Sequence, residues 1–323
     1  MTKQEKLLWG LMAVVLVFLY LLSSTDLIIK EKKTEIYPVS VIVSDTNDEF
    51  YANFRKGADK AAEEYNVDVS FITLFEKGDV ARQMELLKRE ITDGASAVVL
   101  FPVKPEECAG RLDDMVLNSP VIIMGTMFPN DQVRSGIAMD YEAQGKRLGQ
   151  AIAEENDSSI PVFIFTEGLE YGYNREIYAG LTSELKKAGF CAELYEKENE
   201  ETFRQIIEGT VYPGRKKAIL AAIDVESLDA SAEIIADSPG YGSSITGLYG
   251  VGSTTKILTE LDKGIIKGVI AANQFDAGYT CIEKAVEAIH QRQEREQIVL
   301  ESYYINKGNL RERRFEKILY PID

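Results

Sequence analysis

The sequence predicts an α/β protein: two doubly wound parallel-sheet lobes after an N-terminal transmembrane helix. Three observations predict it. From Tyr37 onward short β-branched runs alternate with amphipathic helical stretches, the βαβα order that builds a parallel sheet with helices on both faces. Near Asp140 that alternation begins again, giving two consecutive sets of roughly 100 to 130 residues, the size of ordinary lobes. Ahead of both stands an uncharged run, Leu7 to Leu22.

The N-terminal run sets the address. Lys3 and Lys6 precede it, Trp9 and Tyr20 lie near its ends, and polar residues resume at Ser23. At 1.5 Å per residue, Leu7 to Ser24 spans roughly 27 Å, enough for a bilayer core and also within reach of a signal peptide. The following Ser23-Ser24-Thr25-Asp26-Leu27 has neither a small-x-small cleavage site nor a cysteine to carry a lipid, which favours an uncleaved anchor over a cleaved signal with secretion. Residues 1–6 are then cytoplasmic, 7–24 the anchor or signal, 25–36 a charged juxtamembrane linker, and the remainder lies outside the cytoplasm.

The elements follow in order. A strand near Val39–Val43 opens into a polar-aromatic loop, Ser44 to Tyr51, and then a helix to Tyr65 with Phe54, Ala58, Ala61, Ala62 and Tyr65 on one face. Strands near 68–74, 95–101 and 121–124 alternate with helices over 79–92 and 106–117. Asp140 is the N-cap for a helix over 142–154. Strands near 162–166, 192–195, 218–223, 245–249 and 268–272 then alternate with helices over 174–188, 201–209, 227–236, 254–263 and 276–291. Val299–Ile305 reads as one strand and Arg313–Leu319 as an edge strand. Lobe 1 is expected to hold 37–138 plus 275–304, and lobe 2 139–274 plus 305–323, with crossings near 136–140, 273–275 and 304–307.

Composition narrows the chemistry. The 323 residues are 45% hydrophobic and 27% charged, which is globular, and 52 acidic against 36 basic residues give a net charge of −16, which disfavours nucleic acid as partner. Cys108, Cys191 and Cys281 lack the spacing of a metal site or disulfide framework, so no metal and no cofactor are expected. No phosphate loop occurs, and Gly247 to Gly252 lacks the dinucleotide-binding spacing; a turn accounts for those glycines. His290, the one histidine, sits at a helix end among polar residues, where a catalytic triad is improbable. Met124 and Met127 read as core filling, and Glu106-Glu107 and Asp113-Asp114 as a solvated helix face.

The order and spacing of several segments resemble the type I periplasmic binding proteins of the ribose-binding and LacI-like sugar-binding superfamily, over nearly all of Tyr37 to Asp323. The segments are Ser44 to Gly57, Asp93-Gly94 to Pro102, Pro120 to Met124, Asp140 with Gly145 and Gly149, Asn174-Arg175-Glu176 with Gly180, and Asn273 to Tyr279. The resemblance implies that Ser44, Asp48, Phe50 and Tyr51 line one wall of an inter-lobe cleft and Arg175 the other; Phe101 at the third-strand end and the polar Thr126, Asp224, Asn273 and Gln274 are further candidate contacts. Aromatic faces would stack on a sugar ring and charged groups would bind its hydroxyls.

The chain departs from that pattern at Gly125-Thr126, where sugar binders commonly carry Asp-Arg, at Phe101 in place of Asn, at Ile223-Asp224 and Val251-Gly252, and at Ala272 in place of Gln. Such a pocket offers a free hexose fewer partners, because each buried hydroxyl needs one, so the expectation is a ligand less polar than a monosaccharide or recognition mainly through lobe 1. The resulting expectation is a membrane-tethered, non-catalytic solute-binding protein that closes on a small sugar-like molecule. It would deliver the ligand to an ABC permease or present it to a sensor histidine kinase. The competing reading is a cleft hydrolase using Asp48 and Asp224, which requires those carboxylates to converge.

Overall fold

The computed structural model describes residues 2–24, 36–45, 51–198, 201–211, 217–238, 244–291 and 295–321. It divides into two compact units, Met1–Ile36 and Tyr37–Asp323. The first unit holds α1 (Lys3–Ser24), whose segment Lys3–Leu21 has a mean hydropathy of 1.6 and is long and apolar enough to cross a membrane.

The second unit contains two six-stranded sheets. Lobe 1 carries β1 (Tyr37–Ile42), β2 (Val67–Ile72), β3 (Ala97–Leu100), β4 (Val121–Met124) and β5 (Val133–Met139), with α2 (Ala52–Tyr65), α3 (Val80–Thr92) and α4 (Pro105–Asp113). Lobe 2 carries β6 (Val162–Thr166), β7 (Ala192–Glu196), β8 (Ala218–Ala222), β9 (Ile245–Val251) and β10 (Gly268–Ala272). Its helices are α5 (Tyr141–Glu155), α6 (Asn174–Lys187), α7 (Phe203–Val211), α8 (Val225–Asp237) and α9 (Thr255–Lys263). The chain then makes α10 (Gln274–Ile289), β11 (Glu296–Leu300), β12 (Ser302–Asn306) and α11 (Arg313–Leu319).

Strand order is β11-β5-β4-β3-β1-β2 in lobe 1 and β12-β10-β9-β8-β6-β7 in lobe 2. Among the described residues all pairs are parallel except β10 with β12. The central strands Ala97–Leu100, Val121–Met124 and Ala218–Ala222 are apolar at every position because both faces of each sheet are covered by helices. In lobe 1, Phe54, Ala58 and Cys281 pack on one face and Val80, Leu87 and Leu112 on the other. In lobe 2, Leu148, Ile177 and Leu181 cover one face and Ile207, Leu228, Leu261 and Phe315 the other.

One helix pair in each lobe touches backbone to backbone. A Cβ on Gly57 of α2 would lie 1.9 Å from the Phe275 carbonyl oxygen, and one on Gly278 of α10 would lie 1.9 Å from that of Phe54. Between α5 and α6 the matching distances are 1.9 Å from Gly145 to Ile177 and 2.1 Å from Gly180 to Glu142. Glycine is what allows both crossings, because any side chain there would overlap the facing backbone.

Three sequence expectations change. A strand occupies Val133–Met139 where only a crossing was expected. The run read as one strand, Val299–Ile305, breaks at Glu301: β11 joins β5 in lobe 1 and β12 joins β10 in lobe 2, so the third crossing precedes the expected 304–307. A continuous β-prone run does not reveal that its two halves pair with different partners. Arg313–Leu319 is a helix rather than a strand, because Phe315 and Leu319, four residues apart, reach the lobe 2 core together.

Candidate functional site

Parallel sheets gather loop side chains at the carboxyl ends of their strands, and here those ends face each other across the crossings at Asp140, Asn273 and Glu301. Between them lies a cavity of about 320 Å³, at the small end of the range for small-molecule sites. Helix starts fix several of its edges. Asp79, Asp140, Asp224, Thr254 and Asn273 each follow a strand or its loop and accept a hydrogen bond from a backbone N–H in the first turn of α3, α5, α8, α9 and α10. Gln83, fully buried, donates to the Phe101 carbonyl at 2.7 Å and accepts from the Val103 N–H at 3.1 Å, pinning the loop after β3.

One part of the cavity wall is aromatic. Tyr141 and Tyr173 stack with ring centroids 4.2 Å apart and planes 6° from parallel, while Tyr51 meets the edge of Phe101 at 5.0 Å. The Tyr51 hydroxyl lies 2.8 Å from that of Ser44, and burial pushes its pKa up to about 12. Burial likewise holds the phenols of Tyr141 and Tyr173 in their neutral form. Tyr173 comes from lobe 2, yet its hydroxyl accepts the Thr126 N–H of lobe 1 at 2.9 Å. Gly125 makes that possible: at φ +139° it leaves room for the Tyr173 hydroxyl, which a Cβ would approach to 1.7 Å.

Another part is charged. The Lys77 ammonium, from the loop before α3, lies 3.2 Å from Asp45 of its own lobe and 2.7 Å from Glu167 of lobe 2, and also hydrogen-bonds Glu226 of lobe 2. Lys197 bonds the other Glu226 oxygen at 2.8 Å. Burial opposes the charge on Lys77, but Glu167, Glu226 and Asp45 outweigh it and raise its pKa. Burial also raises the Glu167 carboxyl, and Asp224 behind it adds to this against the pull of Lys77. Glu226 shifts the other way, because Lys197 and Lys77 more than offset its burial. Asp224 itself is spent structurally, accepting from Ser227 N–H at 2.8 Å and Glu167 N–H at 2.9 Å.

The residues singled out in the sequence disperse. Ser44, Tyr51, Phe101, Asp224 and Gln274 stand in the cavity wall. Arg175 does not: it is exposed and pairs with Glu106 of lobe 1 at 2.7 Å on the outer rim. Thr126 is exposed and takes part through its backbone N–H. Asn273 turns to its own helix, accepting from Asp276 N–H at 3.1 Å and donating to the Asp276 carboxylate at 2.6 Å. Asp48 and Phe50 lie outside the described residues.

Sequence reading missed Lys77, Glu167, Glu226, Tyr141, Tyr173 and Gln144, all in the cavity wall. A signal existed for some. Glu167 follows β6 directly and Glu226 lies in the first turn of α8, both at strand carboxyl ends. Gln144 is buried, and its amide donates to Ser302 at the third crossing, 2.7 Å away.

Comparison with known proteins fits this architecture. A family model described as a periplasmic binding protein domain matches residues 39–293. A glucose-galactose binding protein, GanP from Geobacillus stearothermophilus, superposes with a TM-score of 0.75 at 17% identity, covering 86% of this chain and 99% of that one. A carbohydrate transporter solute-binding protein from Agrobacterium radiobacter, in complex with D-arabinose, gives 0.76 at 19% identity, over 88% and 99%. A structure described as a XylFII-LytSN complex gives 0.72 at 13% identity, over 85% and 99%. No curated protein sequence matches the chain.

Proposed function

This chain belongs to the periplasmic binding protein domain family, whose members work outside the cytoplasm, and from that premise we propose that it is a solute-binding protein closing two lobes on one small sugar or sugar-like molecule. The observation that carries the proposal is the cavity of about 320 Å³ between the strand ends of both sheets, spanned by three chain crossings that act as the hinge. Tyr51, Phe101, Tyr141 and Tyr173 offer faces to a ring, and Ser44, Gln144 and Glu167 offer hydrogen bonds to its substituents. Comparators described with bound arabinose, or as glucose-galactose binding, support a monosaccharide-sized ligand.

The helix α1 anchors the protein in the membrane, and the closed form is read by a membrane neighbour, either an ABC permease or a sensor histidine kinase. The likeness to the XylFII-LytSN structure and the length and apolar character of α1 favour presentation to a sensor, since a tethered receptor stays beside its partner. No enzymatic step is assigned: Asp224 is occupied in capping α8.

The full-length protein in detergent tests this reading by thermal unfolding against a panel of pentoses, hexoses and their deoxy forms. Trp9, the one tryptophan, lies in α1, so unfolding is followed by far-ultraviolet circular dichroism. At a hundredfold excess over Kd a ligand stabilises by about 2.7 kcal/mol, which raises the midpoint by several degrees. No shift with any of these sugars would overturn the proposal.

A further inference from the structure

Among the described residues Lys77 is the one cation in the cavity wall, and it faces an anionic cage that neither lobe builds alone. Asp45 follows β1, Glu167 follows β6 and Glu226 opens α8, and all three carboxylates reach the Lys77 ammonium. An ammonium has three N–H donors; here it hydrogen-bonds Glu167 and Glu226 and lies 3.2 Å from Asp45. The other groups packed round the cage are Lys197, held by Glu226, and Asp224, which accepts the Glu167 N–H from behind. Asp45, Glu167 and Glu226 also line the cavity, so the cage opens toward whatever the cavity holds.

We propose that Lys77 sets the charge class of ligand that the cleft accepts: its ammonium fills the cage from within, leaving the cavity to uncharged molecules, and without it the same three carboxylates form a site for a primary ammonium. The inference rests on the cleft being the binding site. Lys77 is a specificity-determining residue in this account, because removing it takes away the ammonium that Asp45, Glu167 and Glu226 share, while Lys197 stays on Glu226. Half-buried carboxylates that lose a shared ammonium draw in a cation able to restore the lost hydrogen bonds.

The experiment is chemical rescue of K77A in the full-length protein. K77A is expected to unfold several degrees below wild type, and ethylammonium is expected to recover most of that loss while leaving wild type unmoved. Tetramethylammonium, a cation without N–H donors, should not rescue, nor should ethylammonium rescue K77A combined with E226Q. Equal responses of K77A and wild type to ethylammonium, or equal rescue by tetramethylammonium, would overturn the proposal. Should K77A not fold, wild type labelled with ¹⁵N-lysine reads the cage directly. A slowly exchanging ammonium signal that disappears in K77R supports the cage, and its absence overturns it. Rescue involves no sugar, so a failed sugar panel and a failed rescue are separate results.

Discussion

The two lobes share an architecture and differ in the charge they bring to the cleft. Each has a six-stranded sheet, helices on both faces and one glycine-mediated helix crossing. Across the cleft, however, lobe 1 extends lysines and lobe 2 receives them with glutamates: Lys77 reaches Glu167 and Glu226, and Lys104 reaches Glu170 at 2.6 Å. Arg175 to Glu106 runs the opposite way and lies on the exposed rim. Repeated packing therefore builds the lobes, and the unlike loops at the strand ends decide how they meet.

The largest effect should come from testing the shared part. Gly57→Leu forces a side chain into the Phe275 backbone and Gly145→Leu into that of Ile177. Each should destabilise by about 3 kcal/mol or more, the upper range for overpacking, when read by chemical denaturation. Loss in one lobe but not the other would break the structural equivalence.

A smaller effect separates the two glutamates that meet Lys77. Glu167 has a raised pKa in the folded state, so above about pH 4.3 the folded protein holds a proton that the unfolded chain has released, and stability falls as pH rises through the folded value. Glu226 has a lowered pKa, so its contribution is present above the ordinary carboxylate value and is lost as pH falls. E167Q should flatten the decline on the alkaline side and E226Q the decline on the acid side, measured as denaturation midpoints across pH. The same pH profile for both variants would show that Lys77 does not distinguish them.

The smallest effect belongs to the rim. Arg175→Ala removes an ion pair whose side chains are 56% and 83% exposed, and should cost less than about 1 kcal/mol, screened further by salt. It should leave sugar binding unchanged in a titration, and a large loss of affinity would return Arg175 to the cavity.

Much of the architecture was legible in the chain. Apolar runs at Val121–Met124 and Ala218–Ala222, and the caps at Asp140 and Asp224, mark strands and helix starts through patterns confined to neighbouring residues. The site was less so. Tyr51 and Phe101 could be placed because they sit beside strand ends, whereas Arg175, four positions from Tyr171 in the same loop-helix turn, leaves the cavity for Glu106, 69 residues away.

By itself the sequence determined the alternation of strand and helix, its repetition after Asp140 and the apolar N-terminal helix, because each follows from backbone periodicity over a few residues. Only the tertiary structure decided which sheet takes each half of Glu296–Asn306, that Tyr173 slots against Gly125, and that Lys77 joins Asp45, Glu167 and Glu226. Lys77 and Glu226 are 149 residues apart, and a charge pair at that separation leaves no local pattern; it exists only once both sheets have folded and the two lobes meet.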